Sequence, residues 1–369
     1  MFPSVDPIPL PAPIWLMKLL SYATLALHFS AVMLLVGSLI LVCWHNARGR
    51  TRKDSDQVSA SFVLGRRLPV IMTWVVNLGI PPLLFAQVLY GRALYSSSIL
   101  IGVIWFSVIG LVMLDYWLLY RIGPAIEAGR AGWGIALLAL LITLGIGQIY
   151  SMNMTLMLRP EVWQSMYAHS PNGLQGVHGD QTTTPRWLFV MAGGPVFGGL
   201  WALTLSNMGH ITDGVKRYLR RSGGALAAVG AVAQIVCGLL VTARQPEAVR
   251  QGLASHALYS VSGILFLAMI LVTALLAALQ GARAISSVPL AVAGLLTGFL
   301  SVAASVVYRD GIRDLTLLQK GFDVWNRVEY SNWSVIGLFL LLFVIMLGII
   351  VWLLNVMRQA TAPIEQVTQ

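Results

Sequence analysis

The chain has 369 residues, 57% of them hydrophobic and only 10% charged, where a soluble domain carries roughly 25% charged residues. Too few polar side chains are present to cover a globular surface, and a mean hydropathy of +0.77 assigns the apolar runs of about 20 residues to lipid. The net charge of +10 is dispersed along the chain as membrane topology disperses it, which argues against a nucleic-acid-binding face.

In chain order, the apolar runs predict an all-α integral membrane protein with nine spans, at 15–44, 69–91, 98–120, 132–152, 187–209, 223–243, 256–279, 286–308 and 335–357. The longest stretch between spans, 153–186, is too short for a soluble catalytic domain of about 50 residues. Function therefore belongs among the helices, on short loops or on a partner subunit. The opening MFPSVDPIPLPAPIW lacks the basic n-region of a cleaved signal peptide, so span one is expected to remain in the protein. With the N-terminus outside, fourteen of the 24 lysines and arginines fall on the cytoplasmic side, most densely in 45–67 and 210–221. That bias predicts an N-terminus outside and a C-terminus on the cytoplasmic side.

The two halves echo one another. LHFSAVMLLVGSL (27–39) aligns with LFVMAGGPVFGGL (188–200), Arg66-Arg67 with Arg220-Arg221, and Ala93-Leu94-Tyr95-Ser96 with Ala257-Leu258-Tyr259-Ser260. This order predicts a 4+4 parallel repeat about an axis along the membrane normal, plus one C-terminal helix. The divisions are 1–153 for the first repeat and 154–186 for a periplasmic amphipathic segment. The second repeat with its outer segment is 187–332, and the ninth helix and cytoplasmic tail are 333–369. Gly193, Gly194, Gly198 and Gly199 suit close helix packing, and Pro81-Pro82 is expected to kink or break span two.

No nucleotide-binding, zinc-protease or nucleophile-elbow motif is present, so chemistry has to come from polar groups inside apolar helices. His28 leads them, since an imidazole in an apolar run can ligate iron, bond a quinone oxygen or relay a proton. The repeat-related position is Phe189, so no symmetric ligand pair is expected. A b-type haem is a possible alternative, with His28 and His256 as its candidate outer ligands. His45 and His210 sit at helix ends among arginines and read as interfacial residues, and His169 and His178 fall on the outer loop. Cys43 and Cys237 lie singly in apolar helices, so neither covalent haem nor an iron–sulfur cluster is expected.

Spans two to four carry a denser outer cluster. Gln87 and Tyr90 share a helix face, Arg92 and Tyr95 follow, and span four ends in the pairs Gln148 with Ser151 and Tyr150 with Asn153. With His28 they predict a quinol-head pocket, in which His28 and Gln87 bond the reacting oxygens and Tyr90, Arg92, Tyr95, Gln148, Tyr150 and Asn153 supply the walls. The plainer reading is that tyrosine and arginine mark the membrane interface. Asp115 is expected to pair with a cation on another helix, and Asn77 and Gln234 to bond between helices. The stretches 159–169 and 309–331 mix charged and aromatic residues, as surfaces that lie on the membrane or dock a periplasmic partner do.

NLGIPPLLFAQVLYGRALYSSSILIGVIW (77–105), LMLRPEVW (156–163), PRW (185–187) and VVYRDGIRDLTLL (306–318) together resemble poorly characterised bacterial polytopic proteins that accompany periplasmic c-type cytochromes in respiratory electron transfer. The resemblance implies a respiratory subunit of the bacterial inner membrane, with its N-terminus periplasmic, its C-terminus cytoplasmic and a periplasmic c-type cytochrome as partner. Those proteins carry a histidine after PRW-Leu where this chain has Phe189, which withholds a haem-ligand role from that position. A secondary transporter built from two repeats, and a structural anchor with no site of its own, are the alternatives.

Overall fold

The structure is a computed structural model that describes residues 9–177 and 179–360. Eight of its helices are long and apolar enough to cross a membrane: α1 (Ile14–Arg52), α3 (Leu68–Leu100), α4 (Gly102–Glu127), α5 (Trp133–Leu156), α7 (Thr183–Leu205), α8 (Asp213–Ala243), α10 (Ala257–Ala282) and α11 (Val288–Gln319). Shorter helices α2 (Ser55–Gly65), α6 (Trp163–His169) and α9 (Glu247–Ser255) lie between them. A ninth long helix, α12 (Trp333–Ala360), follows, and its apolar stretch is Trp333–Met346. His178 and the tail at 361–369 lie outside the described residues.

Helices α1, α3, α4 and α5 pack as one group, and α7, α8, α10 and α11 as a second. The seam between them is α1 against α7, and glycine makes it possible. A Cβ at Gly37 would stand 1.9 Å from the Gly194 carbonyl oxygen and 2.7 Å from Gly198 Cα, so the two backbones touch without side chains between them. The adjacent Gly199 meets the backbone of Gly223 in α8 in the same way.

At the α1–α2 turn, Lys53 closes α1 in the left-handed region (φ 52°) and Asp54 caps α2 by accepting the Gln57 amide at 3.0 Å, one of the orphan donors at a helix start. The Tyr218 hydroxyl of α8 donates to the other Asp54 oxygen. That bond, with the Gln57 amide second, holds the Asp54 carboxyl below the usual aspartate range. A carboxyl depressed on folding stabilises the fold fully above its unfolded value, about 3.9, and the contribution is lost as pH falls through the lower folded value. The protection of the Gln57 amide against hydrogen exchange, relative to the intrinsic rate at each pH, is therefore expected to fall on acidification below about pH 4, and Tyr218→Phe to move that onset upward. Protection that stays constant across this range would contradict the cap.

Three expectations are corrected. Helix α3 runs through Pro81 and Pro82, and its departure from helical dihedrals comes at Tyr90 (φ −125°, ψ 20°). The Arg327 guanidinium donates to the carbonyls of Val88 and Leu89 at 3.1 Å each, supplying partners beside the kink. The eighth span does not end at 308. It continues to Gln319, and Asp310, Arg313 and Asp314 are buried at 5%, 7% and 6% exposure rather than lying on the membrane, because Lys18 of α1 joins Arg313 in balancing the two carboxylates. Asn77 is exposed and bonds back to Thr73 of its own helix at 2.8 Å, while Gln234 is buried with neither amide atom partnered.

Candidate functional site

A cavity of about 820 Å³ opens between the two helix groups. Most of its wall is aliphatic and aromatic, including Phe29, Met154, Trp187, Phe189 and Phe266. His28 projects into it from α1. Its Nδ1 lies 3.1 Å from the Val75 carbonyl, and a carbonyl only accepts, so Nδ1 carries the proton and Nε2 keeps its lone pair. Gly79 makes room for the ring, since a Cβ there would stand 2.9 Å from His28 Cε1. Tyr150 reaches the same space from α5, edge-on to Trp105 with ring centres 4.8 Å apart.

Near the N-terminal end of the bundle the wall becomes cationic, with Arg186 at the start of α7 and Arg309 and Arg313 late in α11. Behind them lies a buried ionic cluster. Lys18 Nζ is 2.6 Å from Asp310 Oδ2, Asp314 Oδ2 and the Tyr90 hydroxyl, which uses all three ammonium protons. Tyr90 in turn lies 2.9 and 2.7 Å from the Oδ1 atoms of the two aspartates. Tyr22 donates to Asp310 at 2.8 Å and Trp325 Nε1 to Asp314 at 2.9 Å. Such full hydrogen bonding is what allows ions to be buried at all.

Deeper in the cavity, midway along α4, Asp115 is fully buried. The Thr143 hydroxyl donates to its Oδ2 at 2.7 Å, and Oδ1 has no protein partner. The cation expected opposite Asp115 is thus replaced by a hydroxyl, because the facing α5 offers only Thr143 at that level.

The expected quinol-pocket residues do not all meet. His28 and Tyr150 line the cavity. Tyr90 is turned into the ionic cluster, completely buried. Asn153 clamps α5 to α3, accepting from Ser97 at 2.5 Å and donating to Ser98 at 2.9 Å. Gln87, Arg92 and Gln148 are half-buried and outside the cavity lining, Gln148 with its Oε1 unpartnered. Tyr95 is 55% exposed. His256 is exposed at the start of α10, stacked 4.4 Å from Tyr259, so it does not face His28 across the cavity. His45 bonds Ser222 at 2.9 Å and His210 is exposed. No cluster of three or more histidine, cysteine, aspartate or glutamate side chains suited to a metal occurs among the described residues.

Lys18, Asp310, Asp314 and the cavity arginines escaped the sequence reading. A signal was available: Arg309-Asp310 and Arg313-Asp314 repeat at four residues, which stacks each charge type along a helix.

The arrangement defines a helical membrane protein with a lateral, largely apolar cavity, polar at isolated points. No family model matches the chain, and no curated protein matches it. Among solved structures it is similar to the bd oxidase from Geobacillus thermodenitrificans, with a TM-score of 0.68 at 12% identity, covering 96% of this chain and 100% of that one. At that identity the likeness is one of fold.

Proposed function

We propose that this protein is a membrane subunit of a respiratory electron-transfer complex in the bacterial inner membrane, and that its cavity takes a quinol ring on the periplasmic side. The observation that carries the reading is the His28 imidazole, tautomerically fixed by Val75 with its free Nε2 in a mainly apolar cavity. One quinol hydroxyl donates to Nε2 while Tyr150 bonds the ring from α5, and the apolar walls take the tail. Oxidation of the quinol to quinone releases two electrons to a redox centre on a partner subunit and two protons, the first onto His28 and the second to water on the periplasmic side. The fold likeness to a bd oxidase and the sequence resemblance to proteins accompanying c-type cytochromes support the setting. The surface around 159–169 is the proposed docking face for a periplasmic cytochrome.

His28→Ala is expected to lower quinol-dependent reduction of the partner about 100-fold with the complex still assembled, while His210→Ala, exposed between α7 and α8, has no effect. Turnover unchanged in His28→Ala would remove the quinol site.

One observation favours a second reading, a b-type haem on His28. Iron-bound histidines characteristically donate their other ring N–H to a carbonyl or carboxylate, as Nδ1 does here. Such a haem would supply one-electron transfer, and His28 with Met154 or Met191, all on the cavity wall, are the residues that would hold it. A reduced-minus-oxidised spectrum separates the readings: an α-band from this chain that His28→Ala abolishes favours haem over quinol.

A further inference from the structure

Charge is out of balance at the N-terminal end of the cavity. Lys18, Arg186, Arg309 and Arg313 bring four cations to a region where Asp310 and Asp314 are the buried carboxylates, an excess of two. Lys18 takes both carboxylates at 2.6 Å, and Arg313 stands 3.8 Å from Asp310 with its guanidinium 4.5 Å from the Tyr90 ring centre. Arg309 has the face of Phe29 at 5.6 Å and no carboxylate within salt-bridge reach among the described residues. Arg186 is in the same position. Asp180, whose field reaches Arg186, is engaged by the backbone amides of Thr182 and Thr183 at 2.7 and 2.8 Å and by Arg159 at 3.9 Å.

The two other charged residues on the cavity wall, Arg250 and Asp115, do not correct this. Arg250 is paired with Glu247. Asp115 is bonded to Thr143 and lies 13 residues into α4, about 20 Å along its axis, whereas Arg186 is in the first turn of α7. Two guanidinium groups that repel each other and Arg313 inside a membrane-embedded wall are costly unless an anion joins them.

We propose that Arg186 and Arg309 form an oxyanion site, which holds the phosphate or carboxylate of an acidic amphiphile whose apolar part enters the cavity. Guanidinium forks match either group with paired hydrogen bonds, and both arginines reach the cavity from different helices. The site stands whichever ring lies against His28. A phospholipid would supply phosphate, and a haem would supply its propionates.

The test uses the full chain with its copurifying subunits in mild detergent, wild type beside the double variant Arg186→Gln/Arg309→Gln. Phosphorus, haem and quinone are measured per chain after exhaustive detergent exchange. The wild type is expected to retain phospholipid phosphorus, or haem, in stoichiometric amount; the first result assigns a phosphate and the second carboxylates. Dioleoylphosphatidylglycerol added back to stripped protein, or hemin in the second case, should bind the double variant at least about tenfold more weakly for each arginine removed. Arg186→Lys/Arg309→Lys keeps the charge but not the fork and should lie between, which separates loss of the site from loss of the fold. A wild type holding neither phosphorus nor haem, or a double variant holding as much as wild type, overturns the oxyanion site. Quinone content is read independently: its absence from every preparation counts against the quinol reading and leaves the arginine result intact.

Discussion

Lys18→Met is expected to be the most damaging single change in the molecule, costing about 3–5 kcal/mol. The ammonium is 2% exposed and is the group that keeps Asp310 and Asp314 in one buried site, each at 2.6 Å. Methionine keeps most of the length of the side chain and removes its charge, so two carboxylates face each other with Arg313 as the nearest remaining cation, 3.8 Å from Asp310. Against a total stability of about 5–15 kcal/mol, little folded protein should survive detergent extraction. The companion variant decides the cause. Lys18→Met/Asp310→Asn/Asp314→Asn removes the uncompensated charges along with the lysine, and replacing a whole buried ionic group is far milder than breaking it. Thermal unfolding in detergent should therefore rank wild type and the triple variant close together and Lys18→Met far below. A single variant as stable as wild type would mean that the cluster is not ionised in the folded protein.

The second large effect is expected at Gly37. A methyl group there would fall on backbone atoms of Gly194 and Gly198, which cannot swing aside as a side chain does. Gly37→Ala must push α1 and α7 apart, and overpacking of this kind costs about 1–3 kcal/mol, occasionally more; with backbone as the obstacle the upper end is expected. Gly110→Ala is the control. It adds the same atom on α4 with nothing within 4 Å, so its helix should gain up to about 1 kcal/mol from the better propensity of alanine. Opposite signs for one chemical change, read as shifts in the unfolding midpoint, would establish that the seam is set by contact. Equal shifts would show that helix propensity alone governs both sites.

What the sequence disclosed follows from the range of the physics involved. Spans are local, and hydropathy located all eight membrane-length helices as well as α12. The close-packing glycines of α7 were visible because small residues cluster within one turn. His28 stood out as the polar group in an apolar run, and it does line the cavity. The ionic cluster is different in kind, since Asp310 is admissible in the membrane only because of Lys18, 292 residues away. Read alone, VVYRDGIRDLTLL looks like a polar segment leaving the bilayer, and so the eighth span was cut about three turns short. Tyr90 was misplaced for a related reason. Its neighbours in sequence suggested a shared pocket, but the kink at that residue and the pull of Lys18, Asp310 and Asp314 draw its hydroxyl elsewhere.

The separation of Lys18 from its carboxylates also sets a timetable for biogenesis. At about 5–20 residues per second, α1 emerges from the ribosome about 15–60 s before Asp310 and Asp314 exist. Throughout that interval the lysine has no counter-ion within the bilayer, and its cheapest position is at the headgroups, with α1 held shallow by its own charge. The arrival of α11 then draws the ammonium inward, and residues 328–330 can bond Leu10 through Val328 and Tyr330 at 2.8 Å each. Helix α1 is thus made well before α11 but is expected to reach its final depth only once α11 is in place, and a chain arrested before α11 should be left with an unseated α1 for quality control to recognise.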